Sequence, residues 1–226
     1  MLVLCDGMPR SASTWSFNVV KGLLRHSDPD SKVIGGYDED VAAFLTSTAA
    51  TADHVVLKCH TLDSHARELV RCGAAKAVYT HRDVREATVS CMAMFGYDFD
   101  QALAAIASSL EVWRFHLREQ NALILDYVEL TTRPGDCIER IASYLGVAHS
   151  SELVADISEE TSITRMREVV TDLEQSGAEA FDSETLLHPR HFTDGHGAAL
   201  TADQLERLAE VLAEHERGGA PVEEHL

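Results

Sequence analysis

Two periods of apolar and polar positions alternate along this chain. Short, nearly continuous apolar runs stand at 2–5, 54–58, 76–80 and 122–126, the last three reading His-Val-Val-Leu-Lys, Lys-Ala-Val-Tyr-Thr and Ala-Leu-Ile-Leu-Asp. Runs of this length predict strands buried on both faces, as in a parallel sheet. Val33-Ile34 reads as a further short strand. Helical periodicity fills the intervals and predicts helices over 14–26, 39–50, 63–72, 83–95, 99–119, 135–146 and 201–216. Strand followed by helix, repeated, predicts an α/β fold of three layers: a mainly parallel central sheet, flanking helices and right-handed crossovers. No internal repeat or linker interrupts the pattern, so residues 1–226 are expected to form a single domain. The segment 176–200, with Gly177, Pro189, Gly195 and Gly197 among polar residues, reads as a long loop able to cover a site.

Composition narrows the partners. The formal net charge of −18 argues against nucleic acid and against an anionic membrane. Any anionic ligand would need cations gathered locally, and Arg10, Lys58 and Arg82 are placed to do so. The acidic runs Asp38-Glu39-Asp40, Glu159-Glu160 and Glu223-Glu224 read as solvated faces. Five cysteines (Cys5, Cys59, Cys72, Cys91, Cys137) are scattered, odd in number and without a Cys-x-x-Cys pair, which suits reduced thiols. The first apolar run begins at residue 2, no secretory pattern precedes it, and no stretch approaches a membrane span. A cytoplasmic protein is expected.

The candidate chemistry begins at Gly7-Met-Pro-Arg-Ser-Ala-Ser-Thr-Trp15, directly after the first apolar run. A strand entering a turn of small residues, with a helix opening at Thr14-Trp15-Ser16-Phe17, presents successive N–H groups to an anion. The layout is P-loop-like without being a nucleoside triphosphate loop. Aligned on Gly7, Ala12 stands at the second glycine position and Ser13 at the lysine position, while the cation comes earlier, at Arg10. Such a loop suits a single 5′-phosphate group and whatever is attached to it. The plainer alternative is an ordinary strand-to-helix turn capped by Thr14.

At Pro9-Arg10-Ser11-Ala12-Ser13-Thr14-Trp15 the chain resembles the sulfotransferase superfamily, whose 5′-phosphosulfate loop reads Pro-Lys-Ser-Gly-Thr-Thr-Trp. Further segments match in the family's order. Val56-Leu57-Lys58-Cys59-His60-Thr61-Leu62 is similar to Ile-Lys-Thr-His-Leu-Pro. The stretch from Tyr79 to Ser90 is similar to Arg-Asp-Pro-Arg-Asp-x-x-Val-Ser, with Val84 in place of the proline. Leu125-Asp126-Tyr127-Val128-Glu129-Leu130 resembles Tyr-Glu-Asp-Leu, and Thr161-Ser162-Ile163-Thr164-Arg165-Met166 resembles Thr-Ser-Phe-x-x-Met. A fainter likeness lies at His191-Phe192-Thr193, and together the matches run from residue 2 to about residue 215.

The resemblance implies sulfuryl transfer from 3′-phosphoadenosine 5′-phosphosulfate to a hydroxyl of a small-molecule acceptor, without a metal. It implies that N–H groups of Ser11, Ala12, Ser13, Thr14 and Trp15, with the hydroxyls of Ser13 and Thr14, hold the 5′-phosphate. Arg10 takes the place of the family's lysine; it can clamp charge but not donate a proton. His60 is the implied base, and Lys58, two residues earlier, would orient the acceptor or neutralise the sulfuryl oxygens. Arg82 and Ser90 would read the 3′-phosphate. Trp15 would stack on adenine, with Tyr127 and Thr161 at its edge, and Ile163 removes one aromatic wall. The family's Arg-Lys-Gly triplet is missing, which leaves Arg190 as the nearest cation. Each role has a plainer counterpart: His60 as a loop histidine, Arg82 paired with Asp83 or Glu86, Trp15 and Tyr127 in the core. His188, His191 and His196 fit no strong zinc spacing. Two rival functions are a small-molecule or nucleotide kinase on a P-loop core and a catalytically silent nucleotide-binding module. The acceptor is not legible, because its pocket would come from variable loops at 28–50, 93–103 and 176–200. Neither nucleic acid nor membrane is expected as a partner, and a homodimer is left open.

Overall fold

Five strands, β1 (Leu2–Asp6), β2 (Val33–Tyr37), β3 (His54–Cys59), β4 (Ala75–His81) and β5 (Ala122–Asp126), pair in parallel in the order β2-β3-β1-β4-β5. The computed structural model describes residues 1–48, 51–175, 182–188 and 199–217. Ten helices lie within those residues: α1 (Ser13–Ser27), α2 (Val41–Thr48), α3 (Ser64–Arg71), α4 (Val84–Phe95), α5 (Phe99–Glu119), α6 (Tyr127–Thr132), α7 (Pro134–Leu145), α8 (Ser151–Glu160), α9 (Ile163–Gln175) and α10 (Ala202–Arg217). Strand side chains alternate between two cores, as period two requires. Val3, Cys5, Val56, Val78 and Leu125 pack with α1, α7 and α8 on one face. Leu4, Leu57, Ala77 and Tyr79 pack with α2, α3 and α5 on the other. The three-layer architecture expected from the chain is therefore present, and β1 is the strand buried between two neighbours on each side.

The helix boundaries follow from capping groups. Asp83 starts α4 by accepting from Arg85 N and Glu86 N, so the proline missing at Val84 is not needed for that turn. Asp98 and Gln101 form a reciprocal capping box at α5. Asp126 caps α6 and Ser150 caps α8. Pro134 opens α7, and Gly146, at φ 76°, closes it in the left-handed region.

At α1 the arrangement differs. Thr14 is not the cap; Ala12 occupies that place at φ 71°, and no side chain caps the helix. The N–H groups of Trp15 and Ser16 both go to the Ala12 carbonyl, while those of Ala12, Ser13 and Thr14 meet no acceptor among the described residues. Helix starts are usually satisfied by a side chain, so an uncapped one at the end of the central strand is poised for an outside anion.

Elements that the periodicity did not mark are α6, α8 and α9, and the helix predicted over 39–50 starts two residues later, as α2 at Val41. Within 176–200 only 182–188 and 199–200 are described. There Glu184 accepts a hydrogen bond from Lys21 and Thr185 one from Asn18, which fastens 182–188 onto α1. Arg190, His191, Phe192, Thr193 and His196, together with Glu223-Glu224, lie outside the described residues.

Ala12 carries a side chain in a conformation that suits glycine. Ala12→Gly should remove a left-handed penalty of about 1 kcal/mol, partly offset by the greater freedom of glycine in the unfolded chain. A rise in melting temperature of roughly 1–3 °C is expected in a calorimetric scan; a fall would show that the Ala12 methyl is held by favourable packing.

Candidate active site

The ends of β1, β3, β4 and β5 open into a cavity of about 1070 Å³, with Ala12, Ser13, Thr14 and Trp15 along its centre. The loop between β1 and α1 is fastened from below. Met8 N donates to the Thr80 carbonyl at 2.9 Å. The Ser11 hydroxyl is fully buried and bonds to Met8 O at 2.6 Å, to Thr80 O at 2.9 Å and to Thr80 Oγ1 at 2.7 Å. Its N–H is also used, by Met8 O. Ser11 therefore shapes the loop and does not line the cavity, contrary to the sequence expectation. The Trp15 N–H is likewise spent inside α1, although its ring lines the cavity and packs against Met166, Val170 and Leu187.

On the β3 side stand His60, Lys58 and a residue read from sequence as solvated, Glu39. His60 Nδ1 lies 2.7 Å from the Gly7 carbonyl oxygen. A carbonyl can only accept, so Nδ1 carries the proton and Nε2 is the bare nitrogen. Nε2 faces Lys58 Nζ at 3.1 Å, and the ammonium donates to it. Burial first, and the Lys58 cation second, hold His60 down at about 4. Burial lowers Lys58 to about 8. Glu39 takes the His60 N–H at 3.1 Å, the Thr61 N–H at 2.9 Å and the Thr61 hydroxyl at 2.7 Å, and the Tyr37 hydroxyl at 2.7 Å. Burial alone would raise Glu39, but those hydrogen bonds prevail and hold its carboxyl below the usual range. The pairing of β2 with β3 explains the contact: Tyr37 is in register with Lys58, so residues two further on, Glu39 and His60, meet beyond the sheet.

On the β4 side Arg82 lies over the Tyr127 ring, 4.2 Å from its centre, and binds Glu86 through Nε at 2.9 Å and Nη2 at 2.7 Å. The plainer role foreseen for it, pairing with Glu86, is thus present, in a side chain that also lines the cavity. Ser90 does not reach the cavity. Its hydroxyl accepts from Arg10 Nε at 2.9 Å, while Arg10 Nη1 points to Met94 Sδ at 2.6 Å. Thr161 is buried with its hydroxyl on Ile157 O, and together with Tyr127 and the exposed Ile163 it closes the far wall. Met94, Phe95 and Tyr97, at the end of α4, complete the side near His60. Among the described residues no cluster of three or more histidine, cysteine or acidic side chains is arranged for a metal ion. No described helix is long and apolar enough to cross a membrane.

Residues 7–215 match the sulfotransferase domain family. The chain belongs to that family. No curated protein sequence matches it significantly. In fold it is similar to the mouse sulfotransferase SULT7A1 solved with PAP, at 16% identity and a TM-score of 0.68, covering 96% of this chain and 85% of that one. It is similar also to retinol dehydratase solved with androsterone and PAP, at 14% identity and a TM-score of 0.66, covering 100% of this chain and 83% of that one.

As a sulfotransferase, the chain divides its cavity by strand order. The loop after central β1 separates His60, Lys58 and Glu39, beyond β3 and β2, from Arg82 and Tyr127, beyond β4 and β5. One side offers a neutral imidazole with a defined tautomer; the other offers a guanidinium on an aromatic ring.

The lowered His60 gives a signed pH dependence. From 6.5 down to about 4 the unfolded chain binds a proton at His60 that the fold refuses, so stability is lost as pH falls through that window. The sulfotransferase should therefore lose more melting temperature than His60→Gln between those pH values. Equal losses in both chains would mean that His60 titrates normally in the fold.

Proposed function

We propose that this sulfotransferase moves the sulfuryl group of 3′-phosphoadenosine 5′-phosphosulfate to a hydroxyl of a small molecule, with His60 as general base. The observation that carries the proposal is the uncapped start of α1, flanked by the oriented His60 on one side and by Arg82 on the other. The N–H groups of Ala12, Ser13 and Thr14, with the Ser13 and Thr14 hydroxyls, would take the 5′-phosphate. Arg82 would turn from Glu86 to the 3′-phosphate, and Trp15, Tyr127 and Thr161 would bound the adenine. Arg10, held by Ser90 and Met94, would supply fixed positive charge where the leaving phosphate develops negative charge.

In the transfer the acceptor oxygen bonds to sulfur, the bond from sulfur to the phosphate oxygen breaks, and the hydroxyl proton passes to His60 Nε2. The Lys58 ammonium donates to that nitrogen. Its ammonium must therefore exchange His60 for an oxygen of the incoming sulfuryl group, which clears Nε2 for the acceptor. The product nucleotide is 3′,5′-adenosine bisphosphate. A kinase assignment is disfavoured by Ser13, which stands where a lysine would reach the terminal phosphates. The androsterone of the similar structure supports a small alcohol as the kind of acceptor. All five cysteines are free, four of them buried, which supports a cytoplasmic location.

Two experiments test the proposal. The 3′,5′-bisphosphate should raise the melting temperature clearly and ATP only weakly; equal shifts, or a preference for ATP, reject the donor. His60→Ala should lower turnover on an alkyl alcohol by roughly 100-fold with little change in nucleotide affinity. A nitrophenol, whose hydroxyl loses its proton readily, should suffer less. Unchanged turnover on the alkyl alcohol removes His60 from the mechanism.

A further inference from the structure

Asp6 is the last residue of the central strand, one position before the loop, and it is fully buried. Its Oδ2 meets Nε2 of His116, from α5, at 2.5 Å, and His116 is 1% exposed. The carboxylate can only accept, so Nε2 carries a proton toward it. Asp6 Oδ1 and His116 Nδ1 have no hydrogen-bond partner among the described residues. Nothing in the transfer described above uses either side chain.

A loop that gathers N–H groups for an anion is poorly served by a carboxylate at its head, and burial strengthens the repulsion. The groups facing Asp6 do not neutralise it. Cys5 on β1, Cys59 on β3, Tyr79 on β4 and Tyr144 on α7 are weak acids, raised first by burial and further by the charge of Asp6, so they stay uncharged. Lys58, whose charge reaches Cys5 and Cys59, points its ammonium at His60. The contact that remains is His116, whose ring also lies 5.5 Å from that of Tyr79.

We propose that His116 is the hydrogen-bond partner that lets Asp6 stand at the head of the phosphate loop, and that it thereby sets the loop's affinity for the anionic donor. His116 touches no substrate; it is a positioning residue acting through Asp6. The inference rests on the phosphosulfate-donor reading. Without His116 the buried carboxyl either stays ionised beside the loop or takes up a proton. Donor binding then becomes linked to that proton and weakens as rising pH removes it.

Calorimetric titration of 3′,5′-adenosine bisphosphate into the full chain tests this, with wild type, His116→Gln and the neutral pair Asp6→Asn/His116→Gln compared from about pH 6 to about pH 9. His116→Gln should bind about tenfold more weakly near pH 8, with a smaller deficit near pH 6. The neutral pair should return to within about threefold of wild type throughout. Unchanged binding in His116→Gln overturns the proposal. So does a loss that is flat with pH and not repaired by Asp6→Asn, since that is a packing defect. If His116→Gln does not fold, Asp6→Asn alone reads the same charge: it should bind at least as tightly as wild type, and weaker binding overturns the proposal. A wild-type chain that ignores the bisphosphate rejects the donor and this inference together, whereas a wild type that binds it confines any failure to His116.

Discussion

The junction between Gly7 and Thr80 is the constraint on which the site depends. A Cβ on Gly7 would stand 2.3 Å from Thr80 Oγ1, so no larger residue fits there without displacing β4. That closeness brings Met8 N onto the Thr80 carbonyl and lets the Ser11 hydroxyl bind both Met8 and Thr80. The loop is thereby tied to the neighbouring strand before it reaches α1. The same peptide turns the Gly7 carbonyl toward His60 and fixes which imidazole nitrogen is bare. A single steric requirement thus links the shape of the anion cradle to the protonation pattern of the base.

Charge is organised as a set of exchangeable partners. The chain is strongly acidic, yet its cavity holds Arg10, Lys58 and Arg82, each already engaged: with Ser90 and Met94, with His60, and with Glu86. The Arg82 partner is a carboxylate, and that pair is partly exposed, which makes its loss cheap. The hydrogen-bond partner of Lys58 is an uncharged imidazole. A polyanion entering this cavity therefore offers Lys58 and Arg82 stronger partners than those they hold.

The sheet was legible because its strands are near-continuous apolar runs, and all four firmly marked ones are present within a residue or two. The loop, His60 and Lys58 were legible because they sit at fixed offsets from strand ends. Glu39 was misread, since an acidic triplet looks solvated until the register of β2 on β3 is known. Ser11 and Ser90 do not face the cavity, because a motif residue is as able to tie the protein to itself as to bind a ligand: the Ser11 N–H goes to Met8 O and its hydroxyl to Thr80, and the Ser90 hydroxyl accepts from Arg10. Helices α8 and α9 do carry a periodic signal, in Val154 with Ile157 and in Met166 with Val170, but few of their residues are buried and the stripe is narrow.

The strength of the base we propose, His60, follows from the same geometry. An imidazole held at about 4 is a weak proton acceptor, and an alkyl alcohol is far too poor an acid to give up its proton to it in advance. Proton transfer must therefore accompany formation of the oxygen–sulfur bond, when the hydroxyl becomes acidic. The two causes that depress His60, burial and the Lys58 cation, do not persist equally through the cycle. In the mechanism we propose, an anionic donor would bring opposite charge beside the imidazole and draw Lys58 away, and both changes would raise its basicity. His60 would thus become a better proton acceptor as the sulfuryl group engages Lys58, which follows from where Lys58 points.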